Sequence, residues 1–114
     1  MTTQRTNRRK PQFADIGDDL IVARKTRRTS GGGIWVVGTV GGHRFNALVF
    51  AEHAEYPAYE LGDSRISKLW LKGPHGGKTV ANFDRGWDVR PTTKIAQAIV
   101  DFLAAGLAEH VYGN

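Results

Sequence analysis

The segment "IWVVGTVGGHRFNALVF", residues 34–50, constrains the fold more than any other part of the sequence. Two runs rich in β-branched and aromatic residues, 34–40 and 43–50, flank the pair Gly41-Gly42. A Gly-Gly pair supplies the positive φ angles that a two-residue hairpin turn requires. The segment therefore predicts a β-hairpin.

A second hairpin and a helix follow in the sequence. After an acidic loop, the segments "RISKLWLKG" and "KTVANFD" read as two strands around the turn "PHGG". Beyond Pro91 the apolar residues recur at helical spacing, with Ile95, Ile99 and Phe102 on one stripe. The sequence predicts an α+β fold, in which a four-stranded antiparallel sheet of two hairpins carries one C-terminal helix on one face.

Strand alternation predicts which side chains the helix covers. Phe45, Ala47 and Val49 lie on one face of their strand, and we expect the helix to pack there. Leu69 and Leu71 of the third predicted strand should join the same core.

The net charge divides the chain into two parts. The 114 residues suffice for one small domain and an appendage. Residues 1–33 hold eight Lys or Arg against three Asp, whereas residues 34–114 hold eight of each sign, so the net charge of +5 belongs to the first part. That part ends in the flexible sequence "SGGG". We predict a basic, partly flexible N-terminal arm at 1–33 and a small ββββα domain at 34–114.

The cations of the arm have three interpretations. They neutralise the phosphates of a nucleic acid, contact an acidic protein surface, or only keep the chain soluble. Between its two basic clusters the arm contains apolar Phe13, Ile16 and Leu20, which predict that part of it packs on the domain, as a short helix or as an edge strand. The candidate binding residues of the arm are Arg5, Arg8, Arg9, Lys10, Arg24, Lys25, Arg27 and Arg28.

The segment "NFDRGWDVRP", residues 82–91, gathers two carboxylates and an arginine before the predicted helix. Its composition favours a turn at Asp84-Arg85-Gly86, with Asp88 as the N-cap, Pro91 in the first helical turn and Trp87 at the end of the core. Arg85 is the member that this structural interpretation needs least. The alternative is a small nuclease or toxin-like hydrolase that uses Asp84, Arg85 and Asp88, assisted by His43 or His53.

The chain resembles an uncharacterised family of small proteins found among bacterial mobile elements and phages. The resemblance rests on Asp63–Leu69, similar to a "GRISKL" type segment, and on Asn82–Asp88, similar to a "YDRGWD" type segment. Ser64 stands where the first segment has a glycine, and Phe83 stands where the second has a tyrosine. The resemblance covers roughly residues 34–112, leaves the basic arm aside and implies a domain without implying a mechanism.

Several classes of function are not expected. The chain has no cysteine, which excludes disulfides and thiolate-bound zinc. No apolar run is long enough to span a membrane, and the basic N-terminus lacks the apolar stretch of a secretory signal, so we expect a cytoplasmic protein without membrane contact. We expect no cofactor. The loop residues Glu52, His53, Glu55 and Glu60 match no recognised metal-ligand spacing, and we predict no metal site.

The sheet face opposite the helix is the second predicted binding surface. It should display Arg44, Lys68, Trp70 and Lys72 together with Asn46, with Trp35 beside them, and Arg85 is a further candidate. Cations around an aromatic ring suit stacking on bases or on an extended peptide, unless the arm covers this face. We predict a non-enzymatic accessory protein of a mobile genetic element, which contacts nucleic acid or a host protein through the basic arm and this exposed sheet face. A double-stranded RNA-binding domain is disfavoured by the weakly basic start of the helix.

Overall fold

The computed structural model describes residues 16–113, except for the side chain of His75. The predicted arm residues Arg5, Arg8, Arg9 and Lys10 therefore lie outside the described part, as does Phe13. The strands are β1 (Ile21–Arg27), β2 (Ile34–Val40), β3 (His43–Val49), β4 (Ile66–Lys72), β5 (Thr79–Asp84) and β6 (Trp87–Val89). One α-helix follows, α1 (Lys94–Tyr112), and short 3-10 turns occur at Pro57–Tyr59 and Pro74–Gly76.

The strands form one antiparallel sheet in which every strand pairs with the next along the chain, in the order β1-β2-β3-β4-β5-β6. The predicted turn between β2 and β3 is confirmed, since Gly41 and Gly42 have φ angles of 60° and 76°. The positive φ at both positions matches the primed hairpin turns whose twist suits the flanking strands.

The prediction of four strands was wrong, because the sheet has six. The first additional strand, β1, comes from the predicted arm, and its seven residues are exposed except for the partly buried Val22. Cations on such an edge stay in water, so the charge that suggested a solvated arm is compatible with a strand. Gly38 allows the pairing, because a Cβ at this position would lie 2.1 Å from the backbone oxygen of Ile21.

The second additional strand, β6, occupies part of the segment that we predicted to be only a turn and a cap. The turn is at Arg85 and Gly86, but Trp87–Val89 then pairs with β5. The predicted N-cap at Asp88 was also wrong, since Thr93 is the N-cap and its side-chain oxygen accepts from Ala96 N at 3.0 Å. A three-residue strand carries too short an alternation to be recognised from the sequence.

The core lies between one face of the sheet and α1. Phe45, Ala47 and Val49 are fully buried there, as predicted, and Leu69 and Leu71 join them. The helix contributes the buried side chains Ala96, Ile99, Val100, Leu103, Leu107 and Ala108. Trp87 packs at the margin of this core, with its ring edge-on to Phe83 at 5.2 Å between centroids. The predicted strand alternation is therefore confirmed.

The segment before β1 packs on the core side of the sheet. Ile16 and Leu20 contact the core cluster, and the backbone of Gly17 lies against the ring of Phe102 in α1. Asp19 Oδ1 accepts from Gly41 N at 2.9 Å, which ties this segment to the β2–β3 turn. Ile16 and Leu20 thus do not cover the opposite face of the sheet.

Candidate functional site

The face of the sheet opposite α1, called the open face below, brings together most of the predicted binding residues of the domain. In β3 and β4, Arg44 pairs with Lys72, and Asn46 pairs with Trp70. Directly paired residues of antiparallel strands share a face, so these four side chains form a continuous patch opposite the core. Lys68 lies on the same face, two residues before Trp70.

Trp70 is the centre of the open face. Lys72 Nζ lies 5.3 Å from the centroid of its ring, and its indole Nε1 donates to Thr79 Oγ1 at 2.9 Å. The hydrogen bond fixes the ring, while the ammonium group adds a cation at its surface. A groove of about 240 Å³ runs beside Trp70 and reaches Trp35, with the amides of Asn46 and Asn82 in its lining. Both tryptophans remain partly exposed.

Strand β1 divides its predicted binding residues between the two sides of the sheet. Arg24 pairs with Val37 and so lies on the open face, whereas Lys25 and Arg27 stand opposite the core residues Val36 and Ile34. All three cations of β1 are exposed. Among the described residues, Arg24 and Arg44 take part in no ion pair, so their charge is available to a ligand.

A second concave surface, called the end cleft below, lies where β3 ends and β4 begins. Its volume is about 620 Å³, and five cationic residues line it against two carboxylates. Arg28 lies over the ring of Phe50, at 5.9 Å from the centroid. Arg85 lies over the ring of Tyr59 at the same distance. The end cleft thus combines positive charge with aromatic rings.

Asp84 organises two of the cations in this region. Its Oδ1 lies 3.4 Å from Lys68 Nζ and 3.8 Å from Arg85 Nε, so one carboxylate holds both cations close together. Arg85 has a φ of 55°, and Arg65 has a φ of 66°. Among the described residues these are the only non-glycine positions with positive φ, and both line the end cleft. Such backbone geometry is uncommon outside glycine and concentrates at functional sites.

A buried carboxylate stabilises the loop that borders the end cleft. Glu60 is 7% exposed, and its carboxylate accepts from His53 Nδ1 at 2.8 Å and from Ala54 N at 2.6 Å. Burial opposes the charged form, but these bonds and one from the backbone of Arg65 outweigh it, and the pKa of Glu60 is lowered. The hydrogen bond to Glu60 in turn raises the pKa of His53.

The potential metal ligands His53, Glu60 and Asp63 belong to the same loop, with donor atoms within 4.8 Å of one another. The oxygens of Glu60 already accept N–H donors, and His53 Nδ1 faces Glu60. Of the loop residues weighed from the sequence, Glu52 and Glu55 do not join this group. The arrangement closes the loop through hydrogen bonds.

The residues of the alternative nuclease hypothesis are spread over the sheet. Asp84 ends β5 in ion pairs with Lys68 and Arg85, and Asp88 is exposed in β6. His43 is buried at the far end of β3, with Nδ1 2.7 Å from Gly41 O. Asp84 pairs with Lys68, and Lys68 pairs with Leu48, so Asp84 lies level with Leu48 of β3. His43 is five residues from Leu48 along β3, which places it about 16 Å away from that level.

Sequence reasoning missed the end cleft, apart from its individual cations. Its aromatic members are Phe50, Tyr59 and Tyr112. Phe50 and Tyr59 lie at a strand end and in a loop, where periodicity carries no information. The signal that existed was Arg85, a residue with no role in a simple turn. Its charge and position made it a binding candidate, but they did not show which neighbours it would meet.

The fold is that of a small single-sheet α+β protein with cationic residues on the open face and in the end cleft. Within residues 16–113, no helix has the length and apolar character needed to cross a membrane. The chain belongs to the family described as Domain of unknown function (DUF7678), whose model matches residues 34–108. The expected membership of an uncharacterised domain family is therefore confirmed. No curated protein and no solved structure matches the chain.

Proposed function

We propose that this protein is a non-enzymatic binding protein that contacts single-stranded nucleic acid through the open face. The observation that carries the proposal is the groove between Trp35 and Trp70, with the cations Arg44, Lys68 and Lys72 around it. Unpaired bases stack on aromatic rings, and their phosphates contact neighbouring cations. The amides of the groove add hydrogen-bonding groups for base edges.

The position of β1 supports this proposal. Arg24 extends the cationic patch across β2 to the edge of the sheet, and Lys25, Arg27 and Arg28 place further positive charge along that edge. A strand of nucleic acid that follows the open face would pass Arg24, whereas Lys25 and Arg27 lie on the other side of the same edge and contribute through their charge. Their field also attracts a polyanion over a longer distance than direct contact allows. The arm residues Arg5, Arg8, Arg9 and Lys10 would add to that attraction.

A role as an accessory protein of a mobile genetic element, acting in the cytoplasm, is part of the proposal. It rests on the similarity of Asp63–Leu69 and Asn82–Asp88 to segments of such proteins. An acidic surface of a host protein is the other ligand with the required charge.

The test measures binding of a fluorescent single-stranded oligonucleotide to the full chain at two salt concentrations. Lys72→Gln and Arg44→Gln each remove one cation of the open face, and Lys94→Gln removes an exposed cation at the start of α1 as a matched control. Each open-face variant should weaken binding and reduce the slope of log K against log salt by about 0.7. The control should bind like the unmodified protein.

Tryptophan fluorescence locates the contact. Trp87 packs on the core side, so Trp87→Phe keeps an aromatic ring beside Phe83 and leaves Trp35 and Trp70 as the emitting residues. Their emission should be quenched as oligonucleotide is added. Equal effects of Lys72→Gln and Lys94→Gln, or unchanged emission at saturation, would refute binding at the open face. If the full chain binds neither single-stranded nor duplex nucleic acid, the acidic protein surface replaces it as the candidate ligand.

A further inference from the structure

The end cleft has the size of a small-molecule site. Its volume of about 620 Å³ lies within the range of about 300–1,000 Å³ that ligand pockets occupy. It is also built from the ends of several elements, because Arg28 follows β1, Phe50 follows β3, Lys68 lies in β4 and Arg85 follows β5. The sheet thus gathers cations that are far apart in the sequence.

The charge in the end cleft exceeds what its carboxylates neutralise. Of its two carboxylates, Glu52 and Glu60, Glu60 already accepts from His53 and from the backbone N–H groups of Ala54 and Arg65. Lys68 and Arg85 share the single carboxylate of Asp84, and Arg28 contacts the carbonyl oxygen of Ser30. Such a group of cations favours a ligand with two negative charges on one centre. A phosphomonoester carries about −1.5 to −2 charges at pH 7, more than the single charge of an internal phosphodiester.

An aromatic platform adjoins these cations. Tyr59 is 48% exposed, and its ring lies 5.9 Å from the guanidinium carbon of Arg85 and packs edge-on against Tyr56. A planar base can stack on this ring while its phosphate reaches Arg85 and Lys68. Arg85 lies with a left-handed backbone in the tight turn between β5 and β6, and this turn presents its side chain to the end cleft. Asp84 N donates to Gly86 O at 2.8 Å and closes the turn.

We propose that the end cleft binds a nucleoside carrying a phosphomonoester, with the phosphate at Arg28, Lys68 and Arg85 and the base on Tyr59. This ligand is either a free mononucleotide or the phosphorylated terminal nucleotide of a strand. In the second case the inference rests on the proposed function, since the strand would continue from the end cleft onto the open face past Lys68.

The first experiment titrates the full chain with a nucleoside monophosphate, the unphosphorylated nucleoside and inorganic phosphate by calorimetry. The monophosphate should bind most tightly. Arg85→Asn removes the guanidinium and keeps a residue that tolerates positive φ, so it should fold and weaken nucleotide binding about tenfold or more. Lys68→Gln is the second variant and should act in the same direction. Lys94→Gln, which removes the same charge at the start of α1, outside both surfaces, should bind the nucleotide normally.

Tyr59→Ser tests the contact with the base independently of the contact with the phosphate. It should weaken binding of the monophosphate about fivefold or more, because base stacking is lost, and leave binding of inorganic phosphate unchanged. A variant that impairs both ligands equally would contradict the assignment of Tyr59 as the base platform.

The second experiment compares oligonucleotides of one sequence with a 5′-phosphate, a 3′-phosphate or no terminal phosphate. Tighter binding of a phosphorylated form, abolished by Arg85→Asn, identifies a strand end as the ligand. Binding of the free nucleotide without any preference among oligonucleotides identifies a mononucleotide, and this result stands even if the open face binds no nucleic acid. If the mononucleotide does not bind and terminal phosphates have no effect, the inference is wrong, whether or not Arg44→Gln weakens oligonucleotide binding.

Discussion

The substitution Gly38→Ala tests the attachment of β1, which carries three of the twelve Lys and Arg residues in the described part of the chain. Gly38 lies in β2 opposite Val22 of β1 and Phe45 of β3. An added Cβ would lie 2.1 Å from the backbone oxygen of Ile21 and 3.2 Å from a ring carbon of Phe45. A backbone atom cannot move aside like the end of a flexible side chain, so β1 must shift away from β2.

The expected loss of stability is about 1–3 kcal/mol, the usual cost of an overpacked site. In a domain of this size each kcal/mol lowers the melting temperature by about 4–8 °C. The loss should be concentrated in β1, because Val22 is the one side chain of this strand that is partly buried. Hydrogen exchange should therefore show lost protection of the β1 amides, while β3 and β4 remain protected.

Gly106→Ala is the matched control. Gly106 lies within α1, has no positive φ, and a Cβ there would meet no atom within 4 Å. Alanine is more favourable than glycine in a helix interior by about 1 kcal/mol, so this variant should be more stable than the unmodified protein. The two glycine substitutions thus have opposite expected signs. If Gly38→Ala left both stability and the protection of β1 unchanged, the described β1–β2 pairing would be refuted.

Three further predictions concern the core and the loop that borders the end cleft. Leu69→Asp places a carboxylate in a site that is 1% exposed and should lower the free energy of unfolding by about 4 kcal/mol or more. Lys68→Asp should lower it by at most about 1 kcal/mol. Similar melting temperatures for the two variants would contradict the strand register. Tyr112→Phe removes a 2.9 Å hydrogen bond to a β3 carbonyl and should cost about 1 kcal/mol in chemical denaturation, and an unchanged midpoint would show that this bond does not stabilise the helix end. The raised pKa of His53 contributes to the free energy of unfolding fully below the unfolded pKa of 6.5, and this contribution is lost as the pH rises through the folded pKa. The lowered pKa of Glu60 contributes above the unfolded pKa of 4.5, and this contribution is lost as the pH falls through the folded pKa. This pair should therefore stabilise the loop most between these values, and Glu60→Gln should flatten the dependence of the melting temperature on pH in both directions.

The candidate site was predicted in part. The open-face residues Arg44, Trp70 and Lys72 followed from strand alternation, because a period of two assigns each side chain to a face once one neighbour is known to be buried. The end cleft did not follow, because Arg28, Tyr59 and Arg85 come together only through the ends of separate strands and a loop. Spacing along the chain carries no information about such contacts.

Local sequence patterns were sufficient to predict the β2–β3 hairpin, the buried face around Phe45 and the C-terminal helix. These depend on local preferences, namely glycine at positive φ and the periods of strand and helix. Tertiary structure alone decided that the basic segment Ile21–Arg27 joins the sheet and that Trp87–Val89 closes its other edge. Both are edge strands with little buried surface, so they are stabilised mainly by pairing with the neighbouring strand. Their own residues do not predict that pairing, because strand preference depends on the surrounding sheet.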